Sequence, residues 1–139
     1  MTKKTEKSQT FSFPSDVEYL EKIEKTSAKI ASAAGFDEST VDDISIALTE
    51  LVNNAIHHGN KNDANKTVTV SFEVDDKKIS ISISDQGKGF SPNSVSDPIH
   101  PDNLMADNGR GIYLVKALMD EVDYNISETG TKVTISKNK

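Results

Sequence analysis

Hydrophobic positions along this chain recur at two periods, and the elements change where the period changes. Val17, Leu20, Ile23, Ile30, Ala31 and Ala34 share one helical face after Pro14. Ser15-x-x-Glu18 has the form of a capping box, so a first helix is predicted to run up to Gly35. A second helix is predicted from about Ser39 to His58, with the stripe Val41, Ile44, Leu48, Leu51 and Ala55 and a stop at Gly59. The period then falls to two. Val68, Val70, Phe72 and Val74 alternate with polar residues, as do Ile79, Ile81 and Ile83 beyond a turn at Asp75-Asp76, which reads as an antiparallel hairpin. Residues 91–108 hold three of the four prolines and no periodicity, the mark of a long loop that serves as a lid or binding segment. A third helix is predicted over about 111–120, then strands near 121–126 and 131–136. Phe11–Phe13 fits a short edge strand, residues 1–10 are expected to be a disordered tail, and 11–139 form one domain. This order of elements predicts an α/β (α+β) two-layer sandwich, with helices on one face of a mixed, mostly antiparallel sheet.

Composition narrows the function classes. A chain of 139 residues with 35% hydrophobic residues and no Trp has one lean aliphatic core. A net charge of -6 argues against nucleic acid as a direct partner, because neutralising phosphates needs a basic surface. The absence of cysteine removes a thiol nucleophile, thiolate metal sites and disulfides, and fits the cytoplasm. No apolar run approaches the ~18 residues of a membrane span, and the polar first ten residues lack the apolar region of a signal peptide.

Three clusters carry candidate chemistry. On the second helix, Glu50 and Asn54 lie one turn apart on a common ridge, roughly 120° and 80° from Ile44. A carboxylate there can polarise a hydroxyl, and an amide oxygen is a suitable hard ligand for Mg²⁺. Asn53 points opposite the stripe, and His58, roughly 40° from it, is expected to lean into the core. His57 and His58 are adjacent and do not share a face as zinc-binding pairs do. The second cluster is Asp85-Gln86-Gly87-Lys88-Gly89. Asp85 keeps the parity of Ile79, Ile81 and Ile83, so its carboxylate points inward at a strand end, where it needs a donor. Gly87 and Gly89 permit close approach of backbone to a ligand. The third is Asn108-Gly109-Arg110-Gly111, a glycine-rich entry to a helix and hence an anion site. It follows an irregular loop rather than a strand, which excludes a Rossmann unit, and no P-loop sequence is present.

In this order the clusters resemble the boxes of the GHKL ATPase superfamily. Glu50 to Gly59 is similar to its N-box, Asp85 to Gly89 to its D-x-G-x-G box, Gly109-Arg110-Gly111 to its G-x-G box, and Gly130-Thr131-Lys132-Val133 to its final strand motif. The resemblance covers about 11–136 and is greatest to the small bacterial anti-sigma factor serine kinases of the RsbW and SpoIIAB type. It implies a Bergerat ATP-binding fold and the cofactors ATP and Mg²⁺. It assigns Glu50 as general base, Asn54 as Mg²⁺ ligand, Asp85 as reader of the adenine amine, and Thr131 as a helper through water. By the same resemblance Gly87 and Gly89 line the adenine and sugar, Gly109, Arg110 and Gly111 meet the phosphates, Lys88 counts among the nucleotide-binding residues, and 91–108 form the ATP lid. The implied activity is phosphorylation of a small STAS-like anti-sigma factor antagonist, with control of a sigma factor by partner switching and a homodimer through the edge at Phe11–Phe13. Asp107 and Asn108 stand where some family kinases carry a basic residue, which leaves Lys88 or Arg110 to supply positive charge. A nucleotide-binding switch without kinase activity is the alternative.

Overall fold

The computed structural model describes residues 7–87 and 110–139. Strand β1 (Lys7–Pro14) leads through a 3₁₀ turn (Val17–Tyr19) into helix α1 (Leu20–Ala33). Helix α2 (Glu38–Asn54) ends in a π-helical turn (Ala55–Gly59), followed by the hairpin β2 (Thr67–Val74) and β3 (Lys78–Ser84). Helix α3 (Arg110–Leu118) precedes β4 (Glu121–Ser127) and β5 (Gly130–Asn138). The sheet has the order β1-β2-β3-β5-β4, and all four pairings are antiparallel, so among the described residues it is not mixed.

The alternating pattern works as predicted. Val68, Val70, Phe72, Val74, Ile79, Ile81 and Ile83 are buried under the helices, joined by Val133 and Ile135 of β5. The opposite face is covered with small hydroxyls, which pair across strands at Thr10–Ser71 (3.1 Å), Ser12–Thr69 (3.0 Å) and Ser82–Thr134 (3.2 Å). Gly35 ends α1 in the left-handed region (φ 99°), as its placement predicted.

Three local expectations change. β1 begins at Lys7, because residues 7–14 pair with the whole of β2, so the tail expected over 1–10 gives way to strand at 7–10. The Ser15–Glu18 capping box does not form. Asp16 caps the 3₁₀ turn through Glu18 N–H (3.0 Å), while Ser15 is buried and donates to Lys66 O (2.9 Å). Finally, α2 buries more than its stripe. Ala47 and Val52 are also fully buried, because α2 packs between α1 and α3 as well as on the sheet.

Candidate functional site

The site is assembled at one end of the sheet, where α2 runs out beside the ends of β3 and β5. The Asp37 side chain caps the start of α2 by accepting from Thr40 N–H (2.8 Å), and hydrogen bonding from the Thr40 side chain and then its N–H holds the carboxyl below the usual carboxylate range. Glu50 and Asn54 lie near the far end of α2. Both are half-buried and neither makes a hydrogen bond or ion pair among the described residues. Spaced i, i+4, they sit on one ridge about 6 Å apart along the axis. Asn53 is half-buried.

Beyond Asn54 the ladder widens, and Asn60 N–H bonds back to Ala55 O (2.8 Å), an i to i+5 bond. A π turn rotates less per residue than an α turn. The lag accumulated over Ala55–Gly59 carries His58 away from the stripe, so His58 is exposed and the expected core histidine is not found. His57 Nδ1 pairs with Asn62 Oδ1. Among the described residues no group of three or more His, Cys, Asp or Glu side chains could hold a metal ion. The Asn54 amide oxygen is a hard donor of the kind that suits Mg²⁺ bound with a polyphosphate.

Asp85 follows β3 with its carboxylate half-buried. Its N–H donates to Thr131 O (3.0 Å), continuing the β3–β5 ladder by one rung. Oδ1 accepts from Gly87 N–H (3.0 Å) and Thr131 N–H (3.1 Å), which leaves Oδ2 without a hydrogen bond among the described residues. Burial pushes the Asp85 carboxyl above the usual carboxylate value, against the opposing pull of the Gly87 and Thr131 N–H groups and the Lys66 charge. The packing around this carboxylate admits no side chains. A Cβ on Gly59 would fall on Asp85 Oδ2, one on Gly87 on the Gly59 carbonyl, and one on Gly130 on the Asp85 carbonyl. Gly59 is thus a point of close approach rather than a left-handed helix stop; the positive φ values come later, at Lys61 (52°) and Asn62 (62°).

Asp85, Gly87 and Thr131 are therefore brought together, with Thr131 reaching Asp85 through its backbone. Glu50 and Asn54 share a ridge on α2. Arg110 and Gly111 open α3 as expected. Lys88, Gly89, Gly109 and the expected lid 91–108 lie outside the described residues. The sequence reading missed Asn60, which is fully buried and donates through Nδ2 to Ser15 Oγ (2.6 Å) and Thr67 O (3.1 Å). Its Oδ1 accepts from Gln86 N–H (2.7 Å), and Gln86 Oε1 in turn accepts from Thr67 N–H (2.7 Å). Asn60 belongs to a polar loop with no periodicity, and its place next to Gly59 was the one available clue.

The model of the histidine kinase-like ATPase domain matches residues 13–137. A protein named serine-protein kinase RsbW from Bacillus licheniformis is 34% identical over 133 residues, covering 89% of this chain and 81% of that protein. One of the same name from Staphylococcus epidermidis is 32% identical over 131 residues, covering 89% and 82%. The crystal structure of the RsbU and RsbW domains of a Mycobacterium tuberculosis protein matches with a TM-score of 0.70 at 19% identity, covering 94% of this chain. This chain spans 32% of that one, and the likeness is one of fold.

Proposed function

Because the chain belongs to the histidine kinase-like ATPase domain family, we propose that it is an ATP-dependent protein serine/threonine kinase and anti-sigma factor. It transfers the γ-phosphoryl group of Mg·ATP to a serine of a small STAS-like antagonist and controls a sigma factor by partner switching. The observation that carries this reading is the Asp85 carboxylate. One of its oxygens accepts from the Gly87 and Thr131 N–H groups, and the other, packed beside Gly59, makes no hydrogen bond among the described residues and has acceptor capacity to spare. An adenine exocyclic amine is the donor such an oxygen calls for. Glu50 accepts the proton of the attacking hydroxyl, Asn54 would hold Mg²⁺, Gly87 and Gly89 line the adenine and sugar, and the N-terminus of α3 at Arg110-Gly111 receives the phosphates with Gly109, Lys88 adding positive charge. Mg²⁺ supplies neutralisation of the phosphate charge.

The names of the relatives at 34% and 32% identity support a kinase over a switch that only binds nucleotide. The outer edge of β1 is unpaired among the described residues and is the edge through which two copies would join. Among the described residues no helix is long and apolar enough to cross a membrane; the cytoplasm is the compartment where sigma factors act. The test is phosphotransfer from γ-labelled ATP to a small STAS-like antagonist protein. Glu50→Ala is expected to lower the rate by about 10²–10⁴-fold while nucleotide binding stays within a few-fold. Full activity in that variant would remove Glu50 as the base. A wild-type protein that binds ATP yet leaves the antagonist unlabelled would establish the binding-only switch.

A further inference from the structure

Among the described residues, Asn60 is the one fully buried polar side chain that joins four segments of the chain. It leaves the π-helical turn after α2, bonds to Ser15 at the exit of β1 and Thr67 at the entry of β2, and accepts from Gln86 between Asp85 and Gly87. Both amide hydrogens and the carbonyl oxygen are used, so the carboxamide has one orientation and a single rotamer satisfies it. The consequence falls on Asp85. The peptide joining Asp85 to Gln86 is held at its N–H by Asn60, and Gly87 packs against the Gly59 carbonyl. The Asp85 carboxylate is thereby fixed from the α2 side, while Thr131 fixes it from the β5 side.

We propose that Asn60 is a positioning residue for nucleobase recognition, holding the Asp85–Gly87 turn so that Asp85 Oδ2 stands where a 6-amino group can donate to it. This rests on the reading of Asp85 as the adenine acceptor. Removing the carboxamide takes away the Asn60 Oδ1 acceptor that holds the Gln86 N–H and releases the turn. The loss then appears as weaker discrimination between bases, beyond any fall in stability. Ser15→Ala supplies the comparison, because it removes a partner of Asn60 on the side away from the site and leaves the Gln86 bond in place.

The experiment measures the affinity of the full chain for Mg·ATP and for Mg·inosine triphosphate, which carries a 6-carbonyl in place of the amine, well below each variant's melting temperature. Wild type is expected to prefer ATP by tenfold or more, since a fixed acceptor rejects an acceptor, on the order of the penalty for one unmade buried hydrogen bond. Asn60→Ala is expected to lose most of that preference, about tenfold, and Ser15→Ala to keep it. Should Asn60→Ala not fold, Asn60→Asp takes its place. It keeps an acceptor for Gln86 N–H while losing both donors, and is expected to retain the preference. Undiminished preference in Asn60→Ala, or its loss in a folded Asn60→Asp, overturns the positioning role and leaves Asp85 as the reader. No preference in wild type overturns the reading of Asp85 itself, and the proposal with it.

Discussion

Asp85 is under two opposing demands. Recognition of a base wants an ionised acceptor, whereas half-burial at the end of β3 penalises the charge and raises its pKa. In the folded chain the carboxyl holds its proton more tightly than in the unfolded one. Ionised Asp85 therefore costs stability above its raised pKa, and the cost disappears as pH falls through that value. Asp85→Asn keeps an oxygen for the Gly87 and Thr131 N–H groups and drops the charge. Without nucleotide, the variant is expected to melt above the parent at neutral pH, with the gap closing as the solution is acidified past the raised pKa. Calorimetric titration with Mg·ATP should show the reverse ranking, a loss of about tenfold or more, against a small change for Asn53→Ala. A parent that melts higher than Asp85→Asn at neutral pH would show that the carboxylate is not penalised by its burial. The inward direction of Asp85 was legible because a strand's period of two assigns its face without knowledge of the fold. Asn60 was not legible, since its burial depends on three other segments meeting around a loop residue, and no local period records that.

At the scale of elements, the site depends on how closely the end of α2 approaches the turn after β3. The approach is backbone to backbone at Gly59 and Gly87, so there is no flexible side chain to yield. Gly87→Ala places a methyl on the Gly59 carbonyl and must push the π turn and the Asp85 turn apart, an overpacking cost of about 1–3 kcal/mol. Denaturant unfolding should show this as a lower midpoint with an unchanged slope, and nucleotide affinity should fall with it. An Ala variant as stable as wild type would mean that the two turns separate freely. The hydrophobic stripe of α2 was readable from Ile44, Leu48 and Leu51, because the 3.6 period holds as far as Asn54. It failed for His58, where the π turn breaks the period, and it undercounted at Ala47 and Val52, because α2 packs against two neighbouring helices as well as the sheet.

For the whole molecule, the arrangement is polarised. Asn60, Asp85, the start of β5 and the end of α2 share one end of the sheet, and the hairpin turn at Asp75 lies at the other. The protein carries a net charge of -6, so a triphosphate arriving alone meets a net repulsion. The helix N-terminus at Arg110 offers only local compensation. On the proposed reading a divalent cation held by Asn54 would offset about half of the triphosphate's charge, and magnesium would be the condition for tight binding. Binding to the native state alone stabilises it by about 2.7 kcal/mol at a hundredfold excess over Kd. For a domain of this size that is a rise in Tm on the order of 10 °C. Thermal melts should therefore show that rise with Mg·ATP and a much smaller one with ATP in a chelator. In Asn54→Ala the magnesium-dependent part should shrink, and the part seen in chelator should remain. A rise equally large with and without magnesium would place the charge compensation on protein cations, and Asn54 would have no metal to hold.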